Sequence, residues 1–410
     1  MKKIHGIIIA TALALSAGCN SDDGIQNGTN PTSGRIAAPR LSPEEVTASE
    51  ATADFQFNFF RQICENAGPD ENIVVSPVAA RSLLSMLAAT ADSDTRGKIT
   101  RMLGCDDITS LNSLSQKLAA DLRNIDQAAT TVEHARSIWY NSTCAIDESL
   151  LQLANDTYLT AVYPRNFMEQ TALIEDINRW SAGNTGNSLS PYLTSVSGAD
   201  AMFCSAMHFK GEWKYPFNKT KSTTGEFHGS KGETFVNIMH QSFTGCQLAH
   251  TPGYSAAVIP VGNTDENGGY NVVFICPKGE MSLQGILRSL NPDKLQRKES
   301  IRLSVEIPRF HVTSRNYNLN DVLTAMGMPE NNALKLFHDS FNGLYDFSQS
   351  CSFSATENTY LITQYTSSSH GTGMNDSEPR AFLELDKPFL FLVTETATKS
   401  IVLAGRIMNI

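Results

Sequence analysis

The chain has 410 residues, of which 41% are hydrophobic and 18% are charged, and its formal net charge is −10 at pH 7. This composition supplies a large core and excludes an intrinsically disordered chain. The negative balance and the lack of a Lys/Arg stripe exclude non-specific nucleic-acid binding, because nothing would neutralise the phosphates. No linker of Pro, Gly and Ser divides residues 45–410, which predicts one large domain.

The N-terminus has the pattern of a targeting segment. Lys2 and Lys3 precede an apolar run, Ile7–Leu15, that is too short to span a bilayer, and small residues then lead to Cys19. This ending resembles a bacterial lipoprotein box, which implies a signal peptide at 1–18 and a mature chain that begins with a lipidated Cys19. The acidic pair in Asn20-Ser21-Asp22-Asp23 is similar to a tag that exports lipoproteins to the outer surface of Gram-negative bacteria. The alternative is a solvated tether with a chance pair of aspartates.

Residues 19–43 are rich in Gly, Asn, Thr, Ser and Pro without a hydrophobic period, which predicts a flexible tether before a domain at 44–410. The seven cysteines after Cys19 are odd in number and have no CxxC spacing, so neither a disulfide framework nor a zinc site is indicated. Cys204 and Cys276 lie in apolar runs and are expected to be buried.

Apolar residues at helical spacing predict helices mostly in the first half of the chain. They are 44–68, a helix after the Ser76-Pro77 start, 95–103, 111–125, 148–157, 172–181 (stopped by Gly183) and 283–290. Alternation and β propensity predict strands mostly in the second half. They are 72–75, 131–139, 158–163, 201–209, 235–239, 256–261, 271–276, 301–307, 359–366, 387–393 and 400–407. This segregation favours an α+β fold over a βαβ repeat.

A polar stretch, Ser367–Arg380, separates the strand predicted at 359–366 from the one at 387–393. A loop of about fifteen residues without its own secondary structure is uncommon inside a compact domain and is often functional. The alternative is a mobile connector.

Five short motifs, in this order along the chain, resemble the serpin family. They are Asn72-Ile73-Val74-Val75-Ser76-Pro77, Phe209-Lys210-Gly211-Glu212-Trp213 with Tyr215-Pro216-Phe217, Ile307-Pro308-Arg309-Phe310, Asp386-Lys387-Pro388-Phe389-Leu390-Phe391, and Gly405-Arg406-Ile407-Met408-Asn409. The resemblance implies a fold of three β-sheets and about nine helices with an exposed reactive-centre loop. It also implies suicide inhibition of a serine or cysteine protease, in which the cut loop inserts into the main sheet as a new strand.

The resemblance places Ser354 just before the central strand at 359–366 and makes Ser367–Met374 the hinge that inserts first. An inserting strand needs small or apolar side chains on its inward face and no proline. Three alternate residues of the hinge are small, and two serines precede them; the five are Ser367, Ser368, Ser369, Gly371 and Gly373. The family usually has alanines here, and glycine costs about 0.5–1 kcal/mol relative to alanine, so this hinge should insert less favourably.

The loop is shorter than is usual in the family, so counting does not locate the scissile bond. The bond between Arg380 and Ala381 is the first candidate, because Arg380 is the only basic residue between Thr366 and Leu385. The Met374-Asn375 bond is the second. The alternative for Arg380 is a solvated loop charge.

The resemblance also points to a region that controls the opening of the sheet. Ser205 stands where the family has an asparagine, and Asn358 stands where it has the histidine that bonds to that asparagine. A Ser205–Asn358 hydrogen bond with Ser76 as a third member would replace the pair; the alternative is three unrelated polar residues. Trp213 is expected where the loop enters the sheet, with core packing as the alternative.

These patterns predict a protease inhibitor of the serpin type, monomeric and lipid-anchored at a Gram-negative cell surface. The alternative is a non-inhibitory binding protein with the same fold. The histidines have no metal-ligand spacing, and neither Gly-x-Ser-x-Gly nor His-Glu-x-x-His occurs. No metal, cofactor or catalytic activity of its own is therefore expected.

Overall fold

The computed structural model describes residues 41–124, 130–144, 146–189, 191–196, 198, 200–265, 268–291, 295, 301–328, 345–357 and 380–410. They belong to one compact unit, Arg35–Ile410. The predicted signal peptide, Cys19 and most of the tether lie outside the described residues. Within the described residues, no helix combines the length and the apolar character needed to cross a bilayer.

Eight α-helices lie in the described part of the chain. They are α1 (Pro43–Asn66), α2 (Pro77–Thr90), α3 (Ser93–Met102), α4 (Ile108–Asn124), α5 (Glu148–Asp156), α6 (Gln170–Asn184), α7 (Leu283–Ser289) and α8 (Asn320–Ala325). Ser76 caps α2 by accepting a hydrogen bond from the Ala79 amide, and Pro77 occupies the first turn, as predicted. Gly183 does not stop α6, which runs to Asn184, because one glycine in a helix costs less than the packing of the helix gains.

The smaller sheet has five strands. Its order is β10 (Phe310–Asn318), β11 (Tyr345–Ala355), β4 (Ala201–Gly211), β2 (Thr130–Asn141) and β3 (Ala161–Arg165). Helices α1 and α2 cover one face, here the core face, and α6 covers the opposite face, here the α6 face. Residues 201–207 of β4 are buried throughout, which confirms the prediction of a strand with two buried faces.

The larger sheet has nine strands. Eight follow the order β1 (Ile73–Val75), β14 (Ile401–Ile407), β13 (Phe389–Glu395), β8 (Gly268–Pro277), β7 (Tyr254–Asp265), β6 (Gly232–His250), β9 (Ile301–Pro308) and β12 (Arg380–Glu384), and β5 (Thr223–Gly229) also pairs with β6. Strand β6 pairs with β7 near its end and with β9 earlier. One long strand therefore joins two of the three expected sheets.

Aromatic side chains hold the two sheets together. Phe353 of β11 stacks on Phe391 of β13 with ring centroids 4.4 Å apart, and Phe310 of β10 packs edge-on against Phe389 at 5.4 Å. Gly405 of β14 is required beside Phe391, because a Cβ there would overlap the phenylalanine ring. The phenylalanine-rich motif and the closing glycine motif are thus parts of one core. The α+β class expected from the sequence is confirmed.

The central strand was misplaced by the sequence analysis. The strand between β10 and β4 is β11 (Tyr345–Ala355), and Ser354 lies inside this central strand and not before it, so that part of the prediction was wrong. The strand predicted at 359–366 lies outside the described residues. In β11 the α6 face carries polar residues, which lowers the hydrophobicity on which strand prediction depends. Strands β5 and β10 were missed as well. Residues 358–379, with Asn358, the hinge serines and glycines, and the Met374-Asn375 bond, lie outside the described residues.

Candidate functional site: the central seam and the two ends of the loop

Two parallel strands, β4 and β11, lie side by side in the smaller sheet. Their ladder, here called the seam, pairs residues from Tyr345 with Ala201 to Ser352 with His208. Both outer neighbours, β10 of β11 and β2 of β4, are antiparallel to them. Beyond Ser352 and His208 each strand continues and, among the described residues, pairs only with its outer neighbour. The seam therefore ends before the two strands do.

His208 marks the last pair of the seam. Its Nδ1 lies 2.9 Å from the Ser352 Oγ, so one side-chain contact spans the two strands at this end of the seam. Burial lowers the pKa of His208, and the nearby Lys210 and His311 lower it further. The lowered pKa favours the neutral imidazole, whose Nδ1 can donate to or accept from the serine hydroxyl, depending on the tautomer.

Glu357 anchors the chain where it leaves β11. Its carboxylate accepts hydrogen bonds from Arg309 Nε at 3.0 Å and Ser222 Oγ at 2.9 Å, and Arg309 Nη2 donates as well. Burial acts to raise the pKa of Glu357, but hydrogen bonds from its own backbone amide, Arg309 and Ser222 outweigh burial and hold the pKa below its usual value. The loop therefore begins at a fixed, charged point.

Trp213 lies beside this anchor. Its indole Nε1 donates to the Thr356 carbonyl at 2.9 Å, and its ring packs edge-on against Phe217 with centroids 5.5 Å apart. The side chain is buried in the core between the two sheets, so both interpretations of Trp213 describe its surroundings. It packs in the core and also holds the last backbone carbonyl before Glu357.

The core face of the seam carries Ser76, Ser205 and Gln349. Gln349 accepts from the Ser76 amide at 2.6 Å and donates to the Ser76 carbonyl at 2.9 Å, which ties β11 to the start of α2. The Ser76 Oγ donates to the Val402 carbonyl at 2.7 Å. The Ser205 Oγ is buried and has no hydrogen-bond partner among the described residues.

The strand register gives Ser205 its neighbours in the sheet. Ser205 lies opposite Gln349 on β11 and opposite Arg136 on β2. The structure brings Ser76, Ser205 and Gln349 into one region, whereas Asn358 lies outside the described residues, so the predicted Ser205–Asn358 hydrogen bond stays a prediction.

The loop ends at β12, which among the described strands pairs only with β9. The backbones of Arg380 and Ala381 are in parallel register with Arg302 and Leu303. The first candidate for the scissile bond is thus the first peptide bond of a strand.

Potential metal ligands also occur in the described residues. Glu226, His228 and Glu233 lie near one another on the β5–β6 hairpin, and all three are exposed. His228 and Glu233 are 3.3 Å apart and face each other across the two strands. This is an ordinary cross-strand pair.

The sequence did not single out Glu357, Arg309 or Gln349 as residues of this site. The alternation of β11 was visible, because Phe347, Gln349, Cys351 and Phe353 face the core while serines lie between them. The pairing of Arg309 with Glu357 had no sequence signal, since the two residues meet only through the register of β10 and β11.

The fold and this site can be compared with known proteins. The family profile described as Serpin (serine protease inhibitor) matches residues 50–410. Serine proteinase inhibitor 1 of vaccinia virus is 26% identical over 364 residues, which cover 82% of this chain and 96% of the viral protein. The native thermophilic serpin tengpin superposes with a TM-score of 0.79 at 19% identity, covering 92% of this chain and 97% of tengpin. Human thyroxine-binding globulin in complex with its hormone gives a TM-score of 0.78 at 18% identity, covering 89% and 99%.

Proposed function

Because the chain belongs to the serpin family, we propose that it inhibits a serine protease, or a cysteine protease, by offering the loop between β11 and β12 as a substrate. The protease nucleophile attacks a loop carbonyl, the peptide C–N bond breaks, and the new amine takes up a proton and leaves with β12. The carbonyl group of the residue before the cut stays bonded to the protease nucleophile, as an ester to serine or a thioester to cysteine. Water would release it, but the freed segment first inserts into the seam and carries the protease along.

The seam supports this proposal. A segment that turns back after Glu357 and enters the seam runs antiparallel to β11, and also to β4, because β4 and β11 are parallel. One parallel ladder is then replaced by two antiparallel ones, which are slightly more stable per residue. The side chains of β4 and β11 already alternate between two buried faces, so an inserted strand finds a place for both of its faces. The gain in ladder hydrogen bonds drives the trap.

The length of the seam limits where the protease can cut. Strand β4 has 11 residues, so an inserted strand of equal length needs about 11 residues after its turn, or about 36 Å of extended chain. Because the turn follows Glu357, a cut near residue 370 or later leaves enough residues for this strand. Both candidate bonds, Met374-Asn375 and Arg380-Ala381, lie after this point. Arg380 would have to leave the β9 ladder to reach a protease, whereas Met374-Asn375 precedes β12. The Arg380-Ala381 bond remains the first prediction because of its basic residue.

The test is incubation with trypsin and, separately, with elastase. A trapped acyl-enzyme survives denaturing gel electrophoresis, and the mass of the released C-terminal fragment shows whether it begins at Ala381 or at Asn375. Arg380→Ala should abolish the complex with trypsin if Arg380 is the recognised residue. Complete cleavage of the wild type without any stable complex would overturn the proposal.

A loop variant separates cleavage from trapping. Thr363→Pro removes a backbone N–H that the inserted strand would donate to its neighbours, so the loop should still be cut but not trapped. Thr363→Ala keeps the N–H and is the matched control. Equal trapping by both variants would show that residue 363 does not enter the sheet.

The alternative is a non-inhibitory serpin-fold binding protein; thyroxine-binding globulin, one of the similar structures, was solved in complex with thyroxine. This alternative predicts cleavage with neither a stable complex nor a gain in thermal stability. In both cases we expect no catalysis by the chain itself; turnover of a substrate without any target protease would contradict this expectation.

We also propose that Cys19 is lipidated and holds a monomeric domain at the outer surface of a Gram-negative cell. The support is the apolar run before Cys19 and the acidic pair after it. Acyl chains contribute about 0.8 kcal/mol per buried methylene, so two or more are sufficient for a stable anchor. Labelled palmitate should be incorporated by the wild type but not by Cys19→Ser, and proteinase added to intact cells should cut the loop of the wild-type domain. An uncut loop under this treatment would place the domain inside the cell.

A further inference from the structure

Tyr192 lies against the seam on the α6 face. Its side chain is 1% exposed, and its hydroxyl is 3.2 Å from the Ser205 carbonyl of β4 and 3.2 Å from the Ser348 carbonyl of β11. The Ser348 Oγ is a further neighbour at 3.4 Å. One hydroxyl therefore contacts backbone oxygens of both central strands in the middle of the ladder.

The segment that carries Tyr192 is fixed on both sides of the seam. Asn178 of α6 donates to the Leu193 carbonyl and accepts from the Leu193 amide, each at 2.7 Å, as a neighbouring strand would. Arg315 of β10 donates to the Pro191 carbonyl at 2.9 Å. The Tyr192 ring packs edge-on against Trp180 with centroids 6.0 Å apart. The hydroxyl is thus held over the seam by contacts that do not depend on it.

From this geometry we propose that Tyr192 is a latch that holds β4 and β11 together and sets the rate at which the seam admits a new strand. Two contacts of 3.2 Å span at most about 6.4 Å. Strands separated by a third strand lie about 9.5 Å apart, so insertion must break at least one of the two contacts. No other polar side chain bridges the same carbonyls from the core face, where the Ser205 Oγ has no partner in the described structure.

The latch deepens the proposed function and rests on it. Trapping is a competition between insertion of the cut loop and hydrolysis of the acyl-enzyme, so the barrier to opening the seam decides how much protease is trapped. A looser latch favours trapping but also allows insertion without a protease. Tyr192 would therefore set the balance between inhibition and spontaneous inactivation.

The first experiment measures the opening of the seam without any protease. Hydrogen exchange is followed in Tyr192→Phe, in peptides covering β4 and β11, with peptides covering β7 and β8 as an internal reference. The variant keeps the ring and its contact with Trp180. Loss of one buried hydrogen bond should speed exchange at the seam about fivefold and leave the reference unchanged.

Two further variants make the result specific. Asn178→Ala detaches the segment from α6 and should act in the same direction as Tyr192→Phe. Tyr158→Phe is the matched control, because its buried hydroxyl contacts Asn112 away from the seam. Two results would overturn the latch. In the first, the seam peptides of Tyr192→Phe exchange at the wild-type rate. In the second, the seam peptides and the reference peptides exchange faster by the same factor.

The second experiment measures the share of protein that is trapped rather than merely cleaved by trypsin. The latch predicts that a larger share of Tyr192→Phe than of the wild type is trapped with trypsin. It also predicts that the variant loses its inhibitory activity faster on storage. Faster exchange at the seam with no complex in any variant would leave the latch standing and refute the proposed inhibition. If the wild type forms a stable complex and Tyr192→Phe traps the same share of protein, the role of the latch in inhibition is refuted.

Discussion

Ser76 and Ser205 were both predicted as members of the sheet-opening region, but their hydroxyls have different surroundings. The Ser76 Oγ accepts from the Ala79 amide and donates to the Val402 carbonyl, whereas the Ser205 Oγ is buried without a partner in the part of the chain that the structure describes. We expect Ser76→Ala to lower the free energy of unfolding by about 1–2 kcal/mol. Ser205→Ala should be neutral or slightly stabilising, because it removes an unsatisfied group.

Urea unfolding of the two alanine variants checks this difference. Each is the control for the other, since both remove one buried hydroxyl. Equal destabilisation by the two substitutions would contradict the structural assignment of partners.

Glu357 is the second residue with a measurable role. Glu357→Gln keeps a polar side chain but removes the charge that faces Arg309. We expect a loss of about 1 kcal/mol in the free energy of unfolding, because water screens an arginine side chain that is 43% exposed. Release of the anchor should also speed loop insertion, measured as the loss of trapping activity during incubation at elevated temperature.

The control for Glu357 is Glu233→Gln, an exposed carboxylate on the β5–β6 hairpin. Slower inactivation of Glu357→Gln than of this control would show that the anchor does not restrain the loop.

At the scale of elements, one carboxylate joins the start of α1 to α4. Glu45 accepts from the Ser42 amide at 2.7 Å within α1, and from Lys117 Nζ at 2.5 Å and Ser113 Oγ at 2.8 Å on α4. The hydrogen bond from Lys117 is the main cause that lowers the pKa of Glu45 to about 2, and the Ser42 amide contributes. Helix α1 is thus capped and docked by the same group.

This arrangement predicts a pH dependence. The folded pKa of Glu45 lies below its unfolded value, so its contribution is complete above pH 4.5 and is lost as the pH falls towards 2. Glu45→Gln should lower the free energy of unfolding by about 1 kcal/mol at pH 7, and this difference should disappear near pH 2. Urea titrations at several pH values measure it, with the exposed Glu175→Gln on α6 as control. A difference that is independent of pH would contradict the assignment.

Strand β11 shows how much of an element can be read from sequence. Its alternation was present in the residues, but serines on the α6 face made it resemble a loop, and the strand was placed too late in the chain. Glu357 is the last residue that the structure describes before the loop, so the hinge predicted at Ser367–Met374 lies outside the described residues and stays a prediction.

At the scale of the whole molecule, insertion should raise the stability of the cleaved protein. A strand of about 11 residues adds ladder bonds worth about 1 kcal/mol each before the cost of ordering the loop, so a net gain of several kcal/mol is expected. This corresponds to a rise of roughly 10 °C or more in Tm. Differential scanning calorimetry of intact and elastase-cleaved protein measures it, and Thr363→Pro should show little rise.

The sequence by itself determined the family, the α+β class and the start of α2, because these depend on local patterns: helical periods, the Ser76-Pro77 cap and motifs whose residues are close together. Tertiary structure alone decided which residues meet at the seam. Arg309 and Glu357, Ser76 and Gln349, and Tyr192 and Ser348 are distant in sequence, and strand register brings them together. A shift of one residue in β11 would turn each of its side chains to the other face, so a displaced strand in the sequence analysis also displaced the site.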